Sequence, residues 1–196
     1  MLDKLKTSIE FTKNLLTTGA FKETSRKVEV EITSTLPRDE NRTIVEFGIG
    51  HGNITREILR IIHPTSRLYA FEVKEEFCEY VASEIKDPRL TIINDGAEKL
   101  LEYVEPPLHG VVSSLPLTLF PKDLRRFLLQ TTYEALAEGA YFNQVLYTKV
   151  HEKTLRKYFD KVTMVRFINI PMEYVYHCQK LGKTKASESF PSNGVR

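Results

Sequence analysis

The chain has 196 residues, a length that suits one domain with a buried core and requires no second domain. Its formal charge of +2 is nearly balanced, which argues against nucleic-acid binding through bulk electrostatics. No stretch approaches the roughly 20 apolar residues of a membrane span, so we expect the chain not to cross a membrane.

An amphipathic helix is the first predicted element. Its apolar side chains fall mainly on one helical face, with lysines around that face. They are Leu2, Leu5, Ile9, Leu15 and Leu16, with Lys4, Lys6 and Lys13. This pattern is typical of helices that lie in the headgroup region of an anionic membrane. Packing on the rest of the chain as a lid explains the same periodicity, so both interpretations stay open.

A predicted strand, a glycine loop and a helix follow. The β-type run 43–47 leads into Gly48, Gly50 and Gly52, and helical periodicity over 54–62 comes directly after them. Glycines here permit positive φ and let a ligand approach bare backbone at a helix amino terminus. The dinucleotide-binding fingerprint spaces its third glycine differently, so the loop does not predict a pyrophosphate site.

Acidic residues stand at the ends of three successive predicted strands. Glu46 closes the first, Glu72 lies in the strand 68–73, and Asp95 follows the strand 90–94. A carboxylate directly before the glycine loop would repel a phosphate and suits a ligand that carries ammonium and sulfonium charge. Because open α/β sheets bind ligands at the carboxyl ends of their strands, the recurrence predicts one ligand site at that edge.

Helix and strand patterns continue to alternate along the rest of the chain. The predicted elements are a helix over 98–104, a strand over 110–115, a helix over 122–136, a strand over 141–147, a helix over 151–159, and strands over 162–170 and 173–179. The short link between the last two strands makes them antiparallel neighbours. The sequence therefore predicts an α/β fold whose mostly parallel seven-stranded sheet ends in an antiparallel hairpin.

Three parts are predicted along the chain. Residues 1–36 form an amino-terminal helical segment, residues 37–180 the α/β domain, and residues 181–196 a flexible tail rich in lysine and serine.

The thiol and imidazole side chains form no predicted site. Cys78 and Cys178 fall in apolar periodic segments, so we expect reduced core thiols and a reducing compartment such as the cytoplasm. The 5 histidines form no helical pair and have no cysteine partner, so no metal is predicted. His51 lies within the glycine loop, and we assign it no chemistry.

The run VEFGIGHGN over 45–53 resembles the first motif of class I S-adenosylmethionine-dependent methyltransferases. The resemblance implies a Rossmann-like fold in which the last strand inserts between the fifth and the sixth, with S-adenosylmethionine as cofactor. It places Glu72 on the ribose hydroxyls and Asp95 near the adenine amino group. The cofactor contacts that it implies are Glu46, Gly48, Gly50, Gly52, Glu72, Asp95 and Ser113.

The segment VVSSLPLTLFP, Val111–Pro121, leaves the fourth predicted strand beside the expected methyl donor. Enzymes that methylate amino groups of adenine, cytosine or glutamine carry Asn or Asp here, followed after two residues by an aromatic. The matching positions in this chain are Ser113 or Ser114, Leu115, Pro116 and Leu117. Since both the amide and the aromatic are missing, a flipped base would be poorly held, which argues against a nucleic-acid substrate.

The serine, leucine and proline pattern resembles bacterial phospholipid N-methyltransferases, a group related to ribosomal RNA adenine dimethylases. The runs TGAFKETSR over 18–26 and NQVLYT over 143–148 extend the resemblance, although Glu23 and Thr24 replace the Pro-Ser pair of that group. It implies N-methylation of a lipid amine, with phosphatidylethanolamine ranked first and an ornithine-type aminolipid as the nearest variant. An RNA adenine N6-methyltransferase and a non-catalytic S-adenosylmethionine-binding module stay open. The expected location is the cytoplasm, peripherally at the inner membrane face, with residues 1–17 on anionic lipid.

We expect the acceptor amine to lie against Ser113, Ser114, Leu115 and Pro116. Apolar surroundings from Leu115, Pro116, Leu117 and Phe120 would favour the neutral, nucleophilic amine, and no general base is predicted. Serine hydroxyls or backbone carbonyls would accept an amine hydrogen. Candidate aromatic partners for a methylated ammonium are Tyr133, Tyr141 and Tyr147. Candidate cations for a headgroup phosphate are Arg26, Lys27, Arg125 and Arg126.

Overall fold

A seven-stranded sheet forms the centre of the computed structural model, which describes residues 25–182. Its strands are β1 (Thr43–Phe47), β2 (Arg67–Phe71), β3 (Leu90–Ile93), β4 (Gly110–Ser113), β5 (Tyr141–Leu146), β6 (Lys161–Phe167) and β7 (Glu173–Gln179). The order across the sheet is β3-β2-β1-β4-β5-β7-β6. Strands β1 to β5 pair in parallel, and β7 runs antiparallel to both β5 and β6. The predicted sheet, including insertion of the last strand between the fifth and the sixth, is confirmed.

Helices cover both faces of this sheet. They are α1 (Arg26–Thr33), α2 (Asn53–Ile61), α3 (Glu75–Glu84), α4 (Leu100–Tyr103), α5 (Lys122–Ala135) and α6 (Glu152–Tyr158), with a 3-10 turn over Ala97–Lys99 before α4. Sequence analysis did not place α3, because its only buried side chains are Cys78 and Val81 and its apolar periodicity is correspondingly weak.

The core has two main parts, one on each face of the sheet. On one face α5 and α6 cover Phe142 of β5, whose ring stacks on Phe159 at 5.2 Å between centroids. On the other face α1 and α2 cover Ile44, and Val28 and Ile32 of α1 are fully buried there. Because the central parallel strands β1, β4 and β5 are buried on both faces, their apolar residues are consecutive rather than alternating.

The edge at which β1 to β5 end is called the carboxyl edge below. The register brings Phe47 level with Phe71 and Ser113, and Ser113 level with Gln144. Strand β7 runs antiparallel to β5, so β7 begins where β5 ends. The turn that joins β6 to β7 therefore also lies at this edge. The ends of β1 to β5 and the β6–β7 turn therefore share one side of the molecule.

Two predictions concern residues outside those that the structure describes. The amphipathic helix and its proposed membrane contact over 1–17 fall there, as does most of the tail. The division into residues 1–36, 37–180 and 181–196 therefore stays a prediction. Within residues 25–182, no helix combines the length and the apolar character needed to cross a bilayer.

Replacing the stacked aromatic tests the packing of the larger core. We expect Phe142→Ala to lower the free energy of unfolding by about 3–5 kcal/mol, since it removes a fully buried ring and leaves a cavity. Leu101→Ala is the matched control, because Leu101 is 56% exposed and its loss should cost less than about 1 kcal/mol. Urea denaturation measures both values, and similar losses in the two variants would contradict this packing.

Candidate active site

The glycine loop connects β1 to α2 at the carboxyl edge. Gly48, Gly50 and Gly52 all have positive φ, at 84°, 52° and 78°. A Cβ on Gly48 would lie 2.8 Å from the Ser114 hydroxyl oxygen, and one on Gly52 would lie 3.1 Å from Val81. The first and third glycines are therefore required by close packing as well as by backbone conformation.

Gly50 differs from the other two glycines, because a Cβ built on it would meet no atom within 4 Å. Its backbone N–H donates to Oε2 of Glu72 at 3.2 Å. Gly50 thus presents bare backbone to open space beside a carboxylate, as the sequence predicted for a ligand loop.

Glu46 is buried beneath this loop, with 1% of its surface exposed. Its Oε2 accepts a hydrogen bond of 2.7 Å from the Thr55 hydroxyl, while Oε1 has no hydrogen-bond partner within residues 25–182. Burial raises the pKa of this carboxyl to about 8, with a contribution from the charge of Glu72, against the opposing effect of the Thr55 hydrogen bond. A cation near Oε1 would favour the ionised form.

Glu72 and Asp95 extend the acidic side of the site along the ends of β2 and β3. Oε1 of Glu72 accepts from the Lys74 N–H at 3.0 Å, so backbone donors on two loops hold this carboxylate. Asp95 accepts from Lys99 at 2.7 Å and from the Tyr103 hydroxyl at 3.0 Å. Burial alone would raise the pKa of Asp95, but hydrogen bonds from Lys99, the Gly96 N–H and Tyr103 together lower it. Both side chains lie where the sequence predicted them, and their cofactor roles stay predictions.

Ser113 and Ser114 occupy different environments at the end of β4. Ser113 is fully buried, and its hydroxyl accepts a long contact of 3.4 Å from the Leu115 N–H. Ser114 is half-buried, and its hydroxyl donates to the Gly48 carbonyl at 2.8 Å. Since that bond uses the hydroxyl proton, the oxygen of Ser114 keeps lone-pair capacity for a further donor.

The segment after β4 is anchored by side chains that sequence analysis assigned to the acceptor pocket. Leu117 is fully buried and Phe120 is 7% exposed, and both pack into the core. Leu115 and Pro116 remain half-buried at the surface of the loop. Of the four side chains predicted to line the acceptor pocket, Leu115 and Pro116 stay partly accessible. The accessible apolar surface of the loop is therefore smaller than predicted.

Arg125 stabilises this loop rather than standing free for a headgroup phosphate. Its Nη1 donates to the carbonyls of Leu117 at 3.1 Å and Phe120 at 2.9 Å. Burial lowers the pKa of the guanidinium from its ordinary value. Arg26, another candidate cation, pairs with Glu57 and Glu29. Of the four candidates, Arg26, Lys27 and Arg126 are exposed, and Arg125 is half-buried.

Gln144 also belongs to this site, although it was not predicted from the sequence. Its buried Nε2 donates to the Leu115 carbonyl at 2.9 Å and to the Val145 carbonyl at 2.7 Å. The Leu115 carbonyl also accepts from the Leu117 N–H at 2.8 Å. A polar residue inside an otherwise apolar predicted strand was the available signal, because a buried amide needs partners.

Two of the three tyrosines proposed for cation–π contact lie at the wrong end of the sheet. Tyr141 begins β5 and pairs with Gln179. It lies five residues, hence about 17 Å, before the end of β5 at the carboxyl edge. Tyr133 donates its hydroxyl to Asp160 at that same far edge. Tyr147 alone of the three follows β5 at the carboxyl edge, half-buried, with its pKa raised by burial. The prediction for Tyr133 and Tyr141 was wrong, because strand patterns do not show which end of a strand faces a ligand.

The cysteines and acidic side chains form no other site in the described part of the chain. Cys78 and Cys178 are free and buried, and burial raises the pKa of both thiols. Within residues 25–182, no group of three or more His, Cys, Asp or Glu side chains is arranged to bind a metal ion.

Known proteins resemble this chain in sequence and in fold. No protein-family model matches it. It is 28% identical over 151 residues to an ornithine lipid N-methyltransferase from Singulisphaera acidiphila, across 74% of this chain and 79% of that protein. Precorrin-6y C5,15-methyltransferase from Geobacter metallireducens superposes with a TM-score of 0.69 at 12% identity, over 83% of this chain and 93% of that one.

Two RNA-modifying proteins share the fold as well. An rRNA methylase from Streptococcus thermophilus gives a TM-score of 0.61 at 18% identity, over 84% of this chain and 100% of that one. A 16S rRNA methyltransferase from T. thermophilus, solved with AdoMet and guanosine, gives a TM-score of 0.61 at 15% identity. The match covers 83% of this chain and 44% of that one.

The strand order and these likenesses define the fold as that of the class I S-adenosylmethionine-dependent methyltransferases. The chain is a methyltransferase, which confirms the predicted enzyme class. A structural neighbour solved with AdoMet agrees with the predicted cofactor.

The glycine that faces open space provides a test of the cofactor loop. We expect Gly50→Val to weaken S-adenosylmethionine binding at least about tenfold, because the side chain enters the space that the bare backbone leaves. Gly139→Val is the matched control. Gly139 also has positive φ, at 82°, with nothing within 4 Å, but it lies between α5 and β5 at the opposite edge. Calorimetry measures both affinities, and an equal effect in the two variants would show that backbone strain rather than steric intrusion is responsible.

The buried carboxyl gives a pH-dependent prediction. Because burial raises the pKa of Glu46 to about 8 from 4.5, the folded protein holds this proton more tightly than the unfolded chain. The contribution of Glu46 to the free energy of unfolding is therefore fully present below about pH 4.5. It is lost as the pH rises towards about 8, by at most about 1.4 kcal/mol per pH unit. Glu46→Gln cannot ionise, so we expect it to gain stability relative to the wild type across that window.

Urea unfolding of both proteins without cofactor, at about pH 5 and about pH 8, measures this difference. A stability difference that is the same at the two pH values would contradict the raised pKa of Glu46.

Proposed function

We propose that this chain N-methylates the headgroup amine of a membrane lipid. The observation that supports this acceptor is the loop after β4. It offers half-buried apolar side chains, Leu115 and Pro116, beside the oxygen of Ser114. It has neither the amide nor the aromatic that enzymes methylating base amino groups carry at these positions.

An ornithine-type aminolipid is the acceptor that we place first, ahead of phosphatidylethanolamine. The relative at 28% identity carries the name of an ornithine lipid N-methyltransferase, and this reverses the order that the sequence pattern suggested. Both lipids present a primary amine, but an ornithine headgroup carries a carboxylate where phosphatidylethanolamine carries a phosphodiester. With Arg26 and Arg125 engaged in ion pairs and carbonyl contacts, a site built around a phosphate has less support.

The site fits S-adenosylmethionine in three respects. Gly50 leaves open space along its backbone, Glu46 keeps one buried oxygen without a partner in residues 25–182, and backbone donors fix the Glu72 carboxylate. We assign cofactor binding to these residues together with Gly48, Gly52, Asp95 and Ser113. When bound, the cofactor supplies a methyl group already activated by a sulfonium centre.

The chain has to deliver a neutral amine in the correct orientation. An ammonium ion has no lone pair, and partial burial against Leu115 and Pro116 disfavours that charged form. The oxygen of Ser114 then accepts one amine hydrogen, which directs the nitrogen lone pair away from the loop. Holding the reactants in this way supplies most of the rate, and no dedicated general base is required.

Gln144 acts in this mechanism as a positioning residue. Its amide fixes the Leu115 carbonyl, and Arg125 fixes the carbonyls that follow, so the acceptor loop keeps one shape. The fully buried Ser113 contributes through the backbone at the end of β4 rather than through an accessible hydroxyl.

Methyl transfer to parallel acceptors tests the proposal. We expect label from S-adenosylmethionine to enter ornithine-lipid vesicles at a rate at least about tenfold above total RNA, with phosphatidylethanolamine vesicles second, because an apolar pocket without base-binding groups discriminates against nucleobases. Gly50→Val serves as the control for cofactor-dependent labelling.

Label in RNA alone would overturn the lipid proposal and favour the RNA adenine alternative. Cofactor binding without label in any sample would favour the non-catalytic alternative.

A further inference from the structure

Four exposed apolar side chains stand together at the carboxyl edge, beyond the site described above. They are Val150 at 71% exposure, Ile168 at 82%, Ile170 at 90% and Met172 at 38%, and we call them the hairpin rim. Three of them belong to the turn between β6 and β7, and Val150 belongs to the loop after β5. Such exposure is costly for aliphatic side chains in water, and clustered exposure marks an interaction surface.

Contacts at the base of the turn join these two segments. The Lys149 ammonium lies 5.5 Å above the Tyr174 ring, and the Tyr174 hydroxyl donates to the Met172 sulfur at 2.8 Å. Tyr174 pairs with Leu146 on one side and with Arg166 on the other. The loop after β5 and the β6–β7 turn therefore form one continuous surface beside the acceptor loop.

Two chain segments that carry the hairpin rim contain only positive charges. The segments 147–150 and 164–172 contain Lys149 and Arg166 and no acidic residue. The carboxylates that flank these segments have partners: Glu173 is 5% exposed and accepts a hydrogen bond from Asn169, and Glu152 accepts one from Arg156. Protruding aliphatic side chains with flanking cations match an anionic lipid surface, in which apolar groups insert and cations meet headgroups.

The amino-terminal segment enters the described structure beside the same turn. The Asn169 amide donates to the Ser25 hydroxyl at 3.2 Å, and Ser25 directly precedes α1. The described part of the chain therefore begins at the carboxyl edge, on the side that carries the hairpin rim. The basic amphipathic helix over 1–17 stays a sequence prediction.

We propose that the hairpin rim inserts into anionic bilayers and holds the acceptor loop towards the headgroups. This inference rests on the proposed lipid substrate, and it assigns membrane contact to residues that the amino-terminal helix does not include. Ile168 and Ile170 enter the interface, while Lys149 and Arg166 stay at headgroup level.

The absence of tryptophan from the sequence permits a direct test. Ile170→Trp introduces a single indole into the full chain, and its emission should shift to shorter wavelength on vesicles that contain phosphatidylglycerol. Brominated acyl chains should quench that emission. Leu181→Trp is the control, since Leu181 is 47% exposed and follows β7 at the opposite edge. An unshifted Ile170→Trp spectrum on vesicles that bind the protein would overturn the proposal.

A paired variant separates this inference from the proposed function. We expect Ile168→Ser with Ile170→Ser to weaken vesicle binding by about tenfold or more, because it removes two inserting side chains. Turnover on vesicle-embedded aminolipid should fall with it, while turnover on a monomeric short-chain aminolipid should be retained. Leu181→Ser should bind vesicles as the wild type does.

The outcomes distinguish the two claims. Equal vesicle binding by the double variant and the wild type would overturn membrane insertion, and would favour cover of the hairpin rim by residues 1–24 or by a second copy. No turnover by the wild type on the monomeric lipid would instead count against the lipid substrate.

Discussion

The hydrogen bond from the Ser114 hydroxyl to the Gly48 carbonyl joins the two halves of this site. It connects the loop after β1, to which we assign the cofactor, to the loop after β4, to which we assign the acceptor. The parallel pairing of Phe47 with Ser113 brings the two loops close to each other. A Cβ on Gly48 would lie only 2.8 Å from the Ser114 oxygen, so glycine leaves the room that this oxygen needs. A side chain at Gly48 would separate the loops, so the geometry for methyl transfer depends on this contact.

The carboxyl edge is divided by its chemistry into two parts. The ends of β1, β2 and β3 carry Glu46, Glu72 and Asp95, which suit a polar ligand with cationic groups. The ends of β4 and β5 and the β6–β7 turn carry apolar side chains with lysine and arginine. In the proposed function, one sheet edge therefore binds a water-soluble cofactor on one side and an amphipathic acceptor on the other, with the Ser114 contact between them.

Sequence patterns predicted the sheet because most of its strands are short apolar runs that helical periodicity separates, with α3 as the exception. The antiparallel hairpin followed from a link too short for a crossover, and the glycine loop from spacing alone. These features depend on local chemistry. They are therefore visible without knowing which residues meet across the fold.

The predictions that failed required knowledge of long-range contacts. Tyr133 and Tyr141 fall at the far edge, although their strand and helix were correctly placed. Leu117 and Phe120 anchor the loop in the core instead of lining its surface. Gln144 went unrecognised because its partner, the Leu115 carbonyl, lies 29 residues away along the chain. Side-chain direction at a strand end is set by tertiary packing, which periodicity does not report.

Lipid analysis of a host that makes ornithine lipids and phosphatidylethanolamine but no methylated form tests the central claim most directly. Expression of the full chain should add lipids heavier by one or more methylene masses on the headgroup amine, with ornithine lipids modified first. The Gly50→Val protein at equal abundance should add none. An unchanged lipid profile, from cells in which the wild-type protein is folded and binds S-adenosylmethionine, would contradict the account.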